Sequence, residues 1–170
     1  MALSEPVTNC SCTVLLCTAI QPAFNEVING LKIKEIMESP KELFEDLKRV
    51  KIIKKGSMDD EDLSSELLEH NQVLCIVNTG KHAKELYKKI AKADNAYHLS
   101  TLMCPAHRRQ MLSEVKKHLS QKESCRVVST QLIEAGVDID FPVVYRSSAC
   151  LDSIAQAAGR CNREGYPIKG

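Results

Sequence analysis

The sequence predicts an α/β fold, a parallel sheet covered on both faces by helices, and three observations predict it. From Gln72 onward, short apolar runs alternate with stretches of helical length. The opening and central runs are nearly unbroken in apolar character, as in strands buried on both faces. Small hydroxyl and amide residues follow the strands, where parallel α/β sheets place their ligands.

Taken in order, Cys12 to Ala19 (CTVLLCTA) reads as a strand buried on both faces. Gln21 and Pro22 interrupt it, and a short helix is expected from Pro22 to Asn29. Ser39-Pro40-Lys41-Glu42 combines an N-cap serine, proline at the first helical position and glutamate at the third, a capping box that opens the helix carrying Leu43, Phe44 and Leu47. Val50 and Ile52 alternate with basic residues between Arg49 and Lys54, which predicts an exposed or edge strand ended by Gly56. Asp59 to His70 is acidic, with Leu63, Leu67 and Leu68 at helical spacing. Then follow strand Gln72 to Val77, helix Lys81 to Ala93, strand Ala96 to Leu99, helix Ala106 to Ser120, strand Arg126 to Ser129, strand Pro142 to Arg146 and a final helix from about Ser153. Such alternation calls for right-handed crossovers and a parallel sheet.

The totals set bounds. A chain of 170 residues, 44% hydrophobic and 26% charged, can bury one good-sized core. Net charge is +1, so any contact with a polyanion must be local rather than global. Eight cysteines, at 10, 12, 17, 75, 104, 125, 150 and 161, lie partly within apolar runs with no signal peptide before them. They are expected to be reduced, buried small hydrophobes in a cytoplasmic protein, with no metal site. No apolar stretch approaches the roughly 20 residues needed to cross a bilayer, so no membrane contact is expected.

After the strands come Asn78-Thr79-Gly80, Ser100-Thr101, and Thr130-Gln131 leading to Gly136-Val137-Asp138. These groups suit contact with phosphate oxygens, and equally they cap helices in any α/β protein. The final helix carries Gln156-Ala157-Ala158-Gly159-Arg160-Cys161-Asn162-Arg163. Gln156, Gly159, Arg160 and Arg163 are spaced three and four apart, as on one helical face, where two guanidinium groups could converge on a triphosphate or stand as ordinary surface charges. Gly159, costly inside a helix, hints at close packing. His107, Arg108, Arg109, Lys116, Lys117 and His118 form either a basic stripe toward a nucleic-acid backbone or a solvated helix face. With aromatic residues at 4%, nucleic-acid contact would fall on phosphates rather than bases.

The phrase Gln156 to Arg163 resembles motif VI of superfamily 2 helicases (Gln-x-x-Gly-Arg-x-x-Arg), Ser129-Thr130 through Gly136-Val137-Asp138 resembles their motif V, and Thr18-Ala19-Ile20 their motif III. The longer phrases Leu16 to Pro22, Leu99 to Arg108 and Asp152 to Gln156 are similar to the helicase-nuclease of type I CRISPR interference. The resemblance implies a RecA-like second motor domain. Residues 1–30 would hold the end of the first motor domain and the start of the linker, 31–70 a helical linker or insertion, and 71–170 the second domain, truncated at its C-terminus. It further implies Arg160 and Arg163 as arginine fingers, Gln156, Gly159, Gly136 and Asp138 at the ATP, and Thr18 as a coupling residue. Asn78, Thr79, Ser100, Thr101 and Thr130 would lie on single-stranded DNA.

The implied cofactors are ATP and Mg²⁺. The implied partners are single-stranded DNA, an N-terminal RecA-like domain, an HD nuclease domain and a CRISPR effector complex. The 170 residues contain no G-x-x-x-x-G-K-[ST] phosphate loop and no Asp-Glu-x-His box, Ile20 replaces a motif III hydroxyl, and Leu102 stands where arginine is expected. The piece by itself is therefore expected neither to hydrolyse ATP at a useful rate nor to cut DNA. A non-catalytic binding module for nucleic acid or protein, or the equivalent domain of an RNA helicase, are the alternatives.

Overall fold

The computed structural model describes residues 9–10, 12–15, 34, 36–46, 48–133, 137–163 and 165. They fall into two compact units, Met1–Lys48 and Arg49–Gly170. In the first unit, helix α1 (Pro40–Asp46) follows the capping-box sequence, and the Ser39 carbonyl accepts the Leu43 amide at 3.2 Å. Cys12 to Leu15, expected to begin a doubly buried strand, are exposed and not in a strand. A doubly buried strand needs neighbours on both edges, and the sheet pairing of the described residues runs only among strands between Gln72 and Arg146. The remainder of that strand, the helix expected over 22–29, and Thr18 lie outside the described residues.

The second unit contains helix α2 (Asp60–Glu69), strand β1 (Gln72–Ile76), helix α3 (Gly80–Ile90), strand β2 (Ala96–Leu99), helix α4 (Pro105–Ser120), strand β3 (Cys125–Ser129), a short 3₁₀ turn (Gln131–Ile133), strand β4 (Val144–Arg146) and helix α5 (Leu151–Ala158). All strand pairs are parallel, in the order β2-β3-β1-β4. Adjacent parallel strands cannot be joined by tight turns, and α3 and α4 supply the crossovers.

β1 is central, and the period of two along it divides the core. Leu74 and Ile76 face one layer with Leu99, Val115 of α4, Val127, Ile133, Phe141 and Ala157 of α5. Val73, Cys75 and Val77 face the other with Leu67 of α2 and Ala83, Leu86 and Ile90 of α3. Each of these residues is at most 2% exposed, which is why the run has no polar alternation to show. The helix expected within the linker, α2, thus contributes a core leucine to the second unit.

Asp59 caps α2, its carboxylate accepting the Glu61 and Asp62 amides at 2.9 and 2.8 Å. Glu66, one turn further on, accepts Lys55 at 2.9 Å and the Tyr145 hydroxyl at 2.8 Å, and these bonds hold its carboxyl below the ordinary range.

Two further expectations are corrected. Arg49 to Lys54 forms no strand: Ile52 and Ile53 stand 72% and 64% exposed, and the polar groups of Arg49 bond to the turn after α5 instead of to a sheet edge. The cysteines are not uniformly buried. Cys75 and Cys125 are, and burial pushes both thiols up to about 12, whereas Cys10, Cys12, Cys104 and Cys150 are exposed. No helix of the described residues is long and apolar enough to cross a membrane.

His98 of edge strand β2 stacks on Tyr87 with ring centroids 5.7 Å apart, and its Nε2 is buried with no hydrogen-bond partner among the described residues. Burial, and then the charge of Lys84, hold the imidazole below its ordinary 6.5. The unfolded chain therefore binds the proton first, so this contribution to stability is complete above about pH 6.5 and is lost as pH falls through it. Urea unfolding at about pH 7.5 and about pH 5.5 should show a lower midpoint at the acidic value, and His98→Gln should reduce the difference.

Candidate active site and nucleic-acid edge

Register decides which polar residues meet. Ser129 at the end of β3 stands opposite Ile76 of β1 and Leu99 of β2, and Ile76 also stands opposite Arg146 of β4. The residues that follow these four strand ends therefore emerge side by side along the carboxyl edge: Asn78 and Thr79, Ser100 and Thr101, Thr130, and Ser147 and Ser148. Interstrand bonds fix this line, from the amides of Val77, Thr130 and Ser147 to the carbonyls of Ser129 (2.9 Å), Leu99 (3.3 Å) and Ile76 (2.9 Å).

Helix capping accounts for only one member of this row. The Thr79 hydroxyl accepts the His82 amide at 3.2 Å as the N-cap of α3. Ser100 and Thr101 cap nothing, because α4 begins at Cys104 and Pro105 without a side-chain cap. The Ser100 carbonyl accepts the Met103 amide at 3.2 Å in a tight turn, leaving Thr101 exposed. Asn78 is braced on both sides, donating to the Ser148 carbonyl at 2.9 Å and accepting from Arg146 Nη1 at 2.6 Å. Thr130 is only 7% exposed, and its hydroxyl has no hydrogen-bond partner among the described residues.

Asp138 of motif V and the motif VI residues lie elsewhere. β4 is parallel to β1 and must be entered from the amino end, so the chain after Thr130 runs back across the sheet and carries Asp138 away from the carboxyl edge where its sequence position seemed to put it. There Asp138, Asp140 and Cys161 share a cavity of about 1030 Å³ with Asn71 and Gln72 at the start of β1. Gly136 lies outside the described residues.

α5 ends at Ala158, so Gln156, Gly159, Arg160 and Arg163 do not form one helical face. Gly159 is the C-cap, in ordinary right-handed backbone at φ −66°, and not an interior glycine against which something packs. The chain turns through Asn162, whose φ of 49° is left-handed, a region that asparagine tolerates better than most residues. The Phe141 amide donates to the Arg160 carbonyl at 2.9 Å, and the Asn162 amide returns a bond to the Phe141 carbonyl at 3.0 Å. This bridge sets the turn against the approach to β4.

Within the turn, Arg160 Nε donates to the Ile133 carbonyl at 3.2 Å and is half-buried. The Arg163 amide donates to Asp140 at 2.7 Å, and its guanidinium pairs with Asp138. Gln156 is exposed one turn earlier on α5. Arg163 also lines a cavity of about 370 Å³ with Asp138, Ile139 and Asp140. On α4, His107, Arg109, Lys116 and Lys117 are exposed, while Arg108 and His118 are half-buried and His118 bonds to Glu123.

Sequence reasoning missed Arg49, Asp140, Arg146 and Asn162. Asp140 carried a usable signal, since it follows Asp138 by two residues and so shares its side in extended chain. Arg49 carried none, because its contacts are set by tertiary structure.

A four-stranded parallel sheet in this order, with helices on both faces, is a RecA-like domain. The sequence pattern of the family described as "CRISPR-associated nuclease/helicase Cas3, C-terminal" matches residues 69–166, and the chain belongs to that family. The branch of the superfamily left open by motifs V and VI is therefore the CRISPR one. A CRISPR-associated nuclease/helicase Cas3 from Methanothermobacter thermautotrophicus is 34% identical over 105 residues, 60% of this chain and 13% of the relative. One from Haloferax volcanii is 55% identical over 56 residues, 32% of this chain and 6% of that protein. The chain thus spans a small part of the length of these relatives. Among solved structures, T. fusca Cas3 superposes with a TM-score of 0.56 at 22% identity over 69% of this chain and 15% of that one. Its ATP complex gives 0.54 at 21% identity over 66% and 14%. At that identity the likeness is one of fold.

Proposed function

We propose that residues 71–170 act as the second motor domain of an ATP-dependent single-stranded DNA helicase in CRISPR antiviral defence. In this reading ATP is held mainly by a first RecA-like domain of the same protein, to which residues 1–30 belong and which residues 31–70 join to the second. The observation that supports it is the arrangement of the motif VI turn, in which Arg160 and Arg163 follow the helix and the Arg163 guanidinium, half-exposed, pairs with Asp138. Such arginines serve a nucleotide brought by another body.

When the two motor domains close, Arg160 and Arg163 approach the γ-phosphate and stabilise the charge that develops as it leaves. Asp138 and Gly136 lie near the ribose, and Gln156 and Gly159 border the nucleotide. Among the described residues no three His, Cys, Asp or Glu side chains gather as a metal site. In this reading Mg²⁺ accompanies the ATP held by the first domain. The carboxyl-edge row of Asn78, Thr79, Ser100, Thr101 and Thr130 holds DNA phosphates, with Thr130 joining motif V to the strand and Thr18 linking hydrolysis to movement. The nuclease is an HD domain of the same protein, and a CRISPR effector complex delivers the DNA.

The DNA half is tested by measuring single-stranded DNA affinity of the two-domain protein across salt. Binding should be indifferent to base sequence, with log K falling linearly in log salt by about 0.7 for each phosphate contacted. Thr101→Glu, which places a charge at an exposed position of the row, should weaken binding about ten-fold, the effect of roughly 1.4 kcal/mol. Salt-independent binding, or an affinity unmoved by Thr101→Glu, would remove this edge from the DNA path.

A further inference from the structure

Arg49 lies 114 residues before Arg163, outside every motif of the sequence, yet it grips the arginine turn from two directions. Its guanidinium donates to the Arg163 carbonyl, and its own carbonyl accepts Asn162 Nδ2 at 2.9 Å. Gly165 rests against its side chain, with an added Cβ there falling 3.6 Å from Arg49 Cδ. The opposite side of the turn is held by Asp140, which accepts the Arg163 amide, and by the Phe141 backbone. Arg49 thus closes a bracket of which the β4 approach forms the other arm. We propose that Arg49 is a positioning residue for the motif VI arginines, tying the segment ahead of α2 to the turn that carries Arg160 and Arg163.

Two features of the turn make such a brace necessary. α5 stops at Ala158, and the turn that follows is continued only by the bonds from the Arg160 and Cys161 amides to the Ala157 and Ala158 carbonyls, both 3.0 Å, so the helical pattern does not extend to Asn162 and Arg163. Asn162 sits at positive φ, a conformation that persists where its surroundings determine it. The Asn162 side-chain bond to the Arg49 carbonyl supplies that constraint from its own residue, and the Arg49 guanidinium supplies it to the next. Since catalysis by a charged finger depends on placement, a misplacement of about 1 Å can cost about a hundred-fold in rate with substrate affinity little changed.

The role in catalysis rests on the motor-domain reading given above, and the bracket itself does not. Both are read together by hydrogen exchange and kinetics. In this chain, Arg49→Ala and Asn162→Gly, the second of which keeps the positive φ while deleting the amide, should each speed exchange at the Asn162 and Arg163 amides about ten-fold, with β1 amides unchanged. In the two-domain protein both should lower kcat for DNA-stimulated ATP hydrolysis by about ten- to a hundred-fold with KM for ATP nearly constant, and Arg49→Lys should restore part of the loss. Arg163→Ala is run beside them. If Arg163→Ala is inactive while Arg49→Ala exchanges and turns over as the wild type does, the positioning role is wrong and the motor reading stands. If Arg163→Ala retains full activity, the motor reading fails, and the bracket is then judged by exchange alone.

Discussion

Removing the Arg163 guanidinium, as Arg163→Ala in a protein completed with its first motor domain, is expected to lower DNA-stimulated ATP hydrolysis by about 10³- to 10⁵-fold. Arg160→Ala should fall in the same range, and the double variant should lose little more than either single one, because groups that act as a unit are not additive. The cause is electrostatic. A guanidinium aimed at the departing phosphoryl group meets charge that develops only in the transition state, so its loss appears in kcat far more than in KM. Arg163 is 48% exposed and Asp138 79%, so their ion pair contributes little to folding and the variant should remain stable. Steady-state kinetics over an ATP series separates the outcomes: a loss confined to KM would make Arg163 a ground-state contact rather than a finger.

The second large effect is on stability. Phe141 is fully buried, is the bulkiest fully buried side chain among the described residues, and packs with Leu74, Ile76 and Leu99 in the layer under α4 and α5. Its truncation in Phe141→Ala should cost about 3–5 kcal/mol from lost transfer energy and the cavity left behind. A domain of this kind is stable by only about 5–15 kcal/mol, so much of the total would go. The damage should also reach the site, since the Phe141 backbone bonds to both Arg160 and Asn162. Phe141→Leu, which keeps most of the volume, should cost under about 1.5 kcal/mol. Denaturant unfolding measures both, as a shift in midpoint at constant slope. A loss below about 1 kcal/mol for Phe141→Ala would show that the layer repacks.

These two residues also show what the sequence could disclose. The parallel sheet was legible because β1 is apolar on both faces and the strands are parted by helix-length segments, signals that are local. Strand β2 falls at Ala96 to Leu99 as its sequence indicates, and α4 begins one residue before the expected Ala106, at Pro105. Arg49 to Lys54 misled because alternation marks a strand only where an edge is available to pair with it. The geometry of the motif VI residues was not legible: spacing of three and four suggests a helical face, but Gly159 ends the helix and the arginines follow in a turn. Asp138 was misplaced for a topological reason, since only the pairing of β4 with β1 requires the chain to recross the sheet before β4 begins. The brace by Arg49 depends on a contact across 114 positions, which no local pattern encodes.

The most direct measurement is single-stranded-DNA-stimulated ATP hydrolysis by this chain alone and after combination with the first motor domain of its protein. Hydrolysis that is absent in each piece, appears on combination and disappears with Arg160→Ala or Arg163→Ala is the expected result. Hydrolysis by this chain alone, or none on combination although the two pieces associate and are folded, would contradict the assignment of a second motor domain that completes an ATP site held elsewhere.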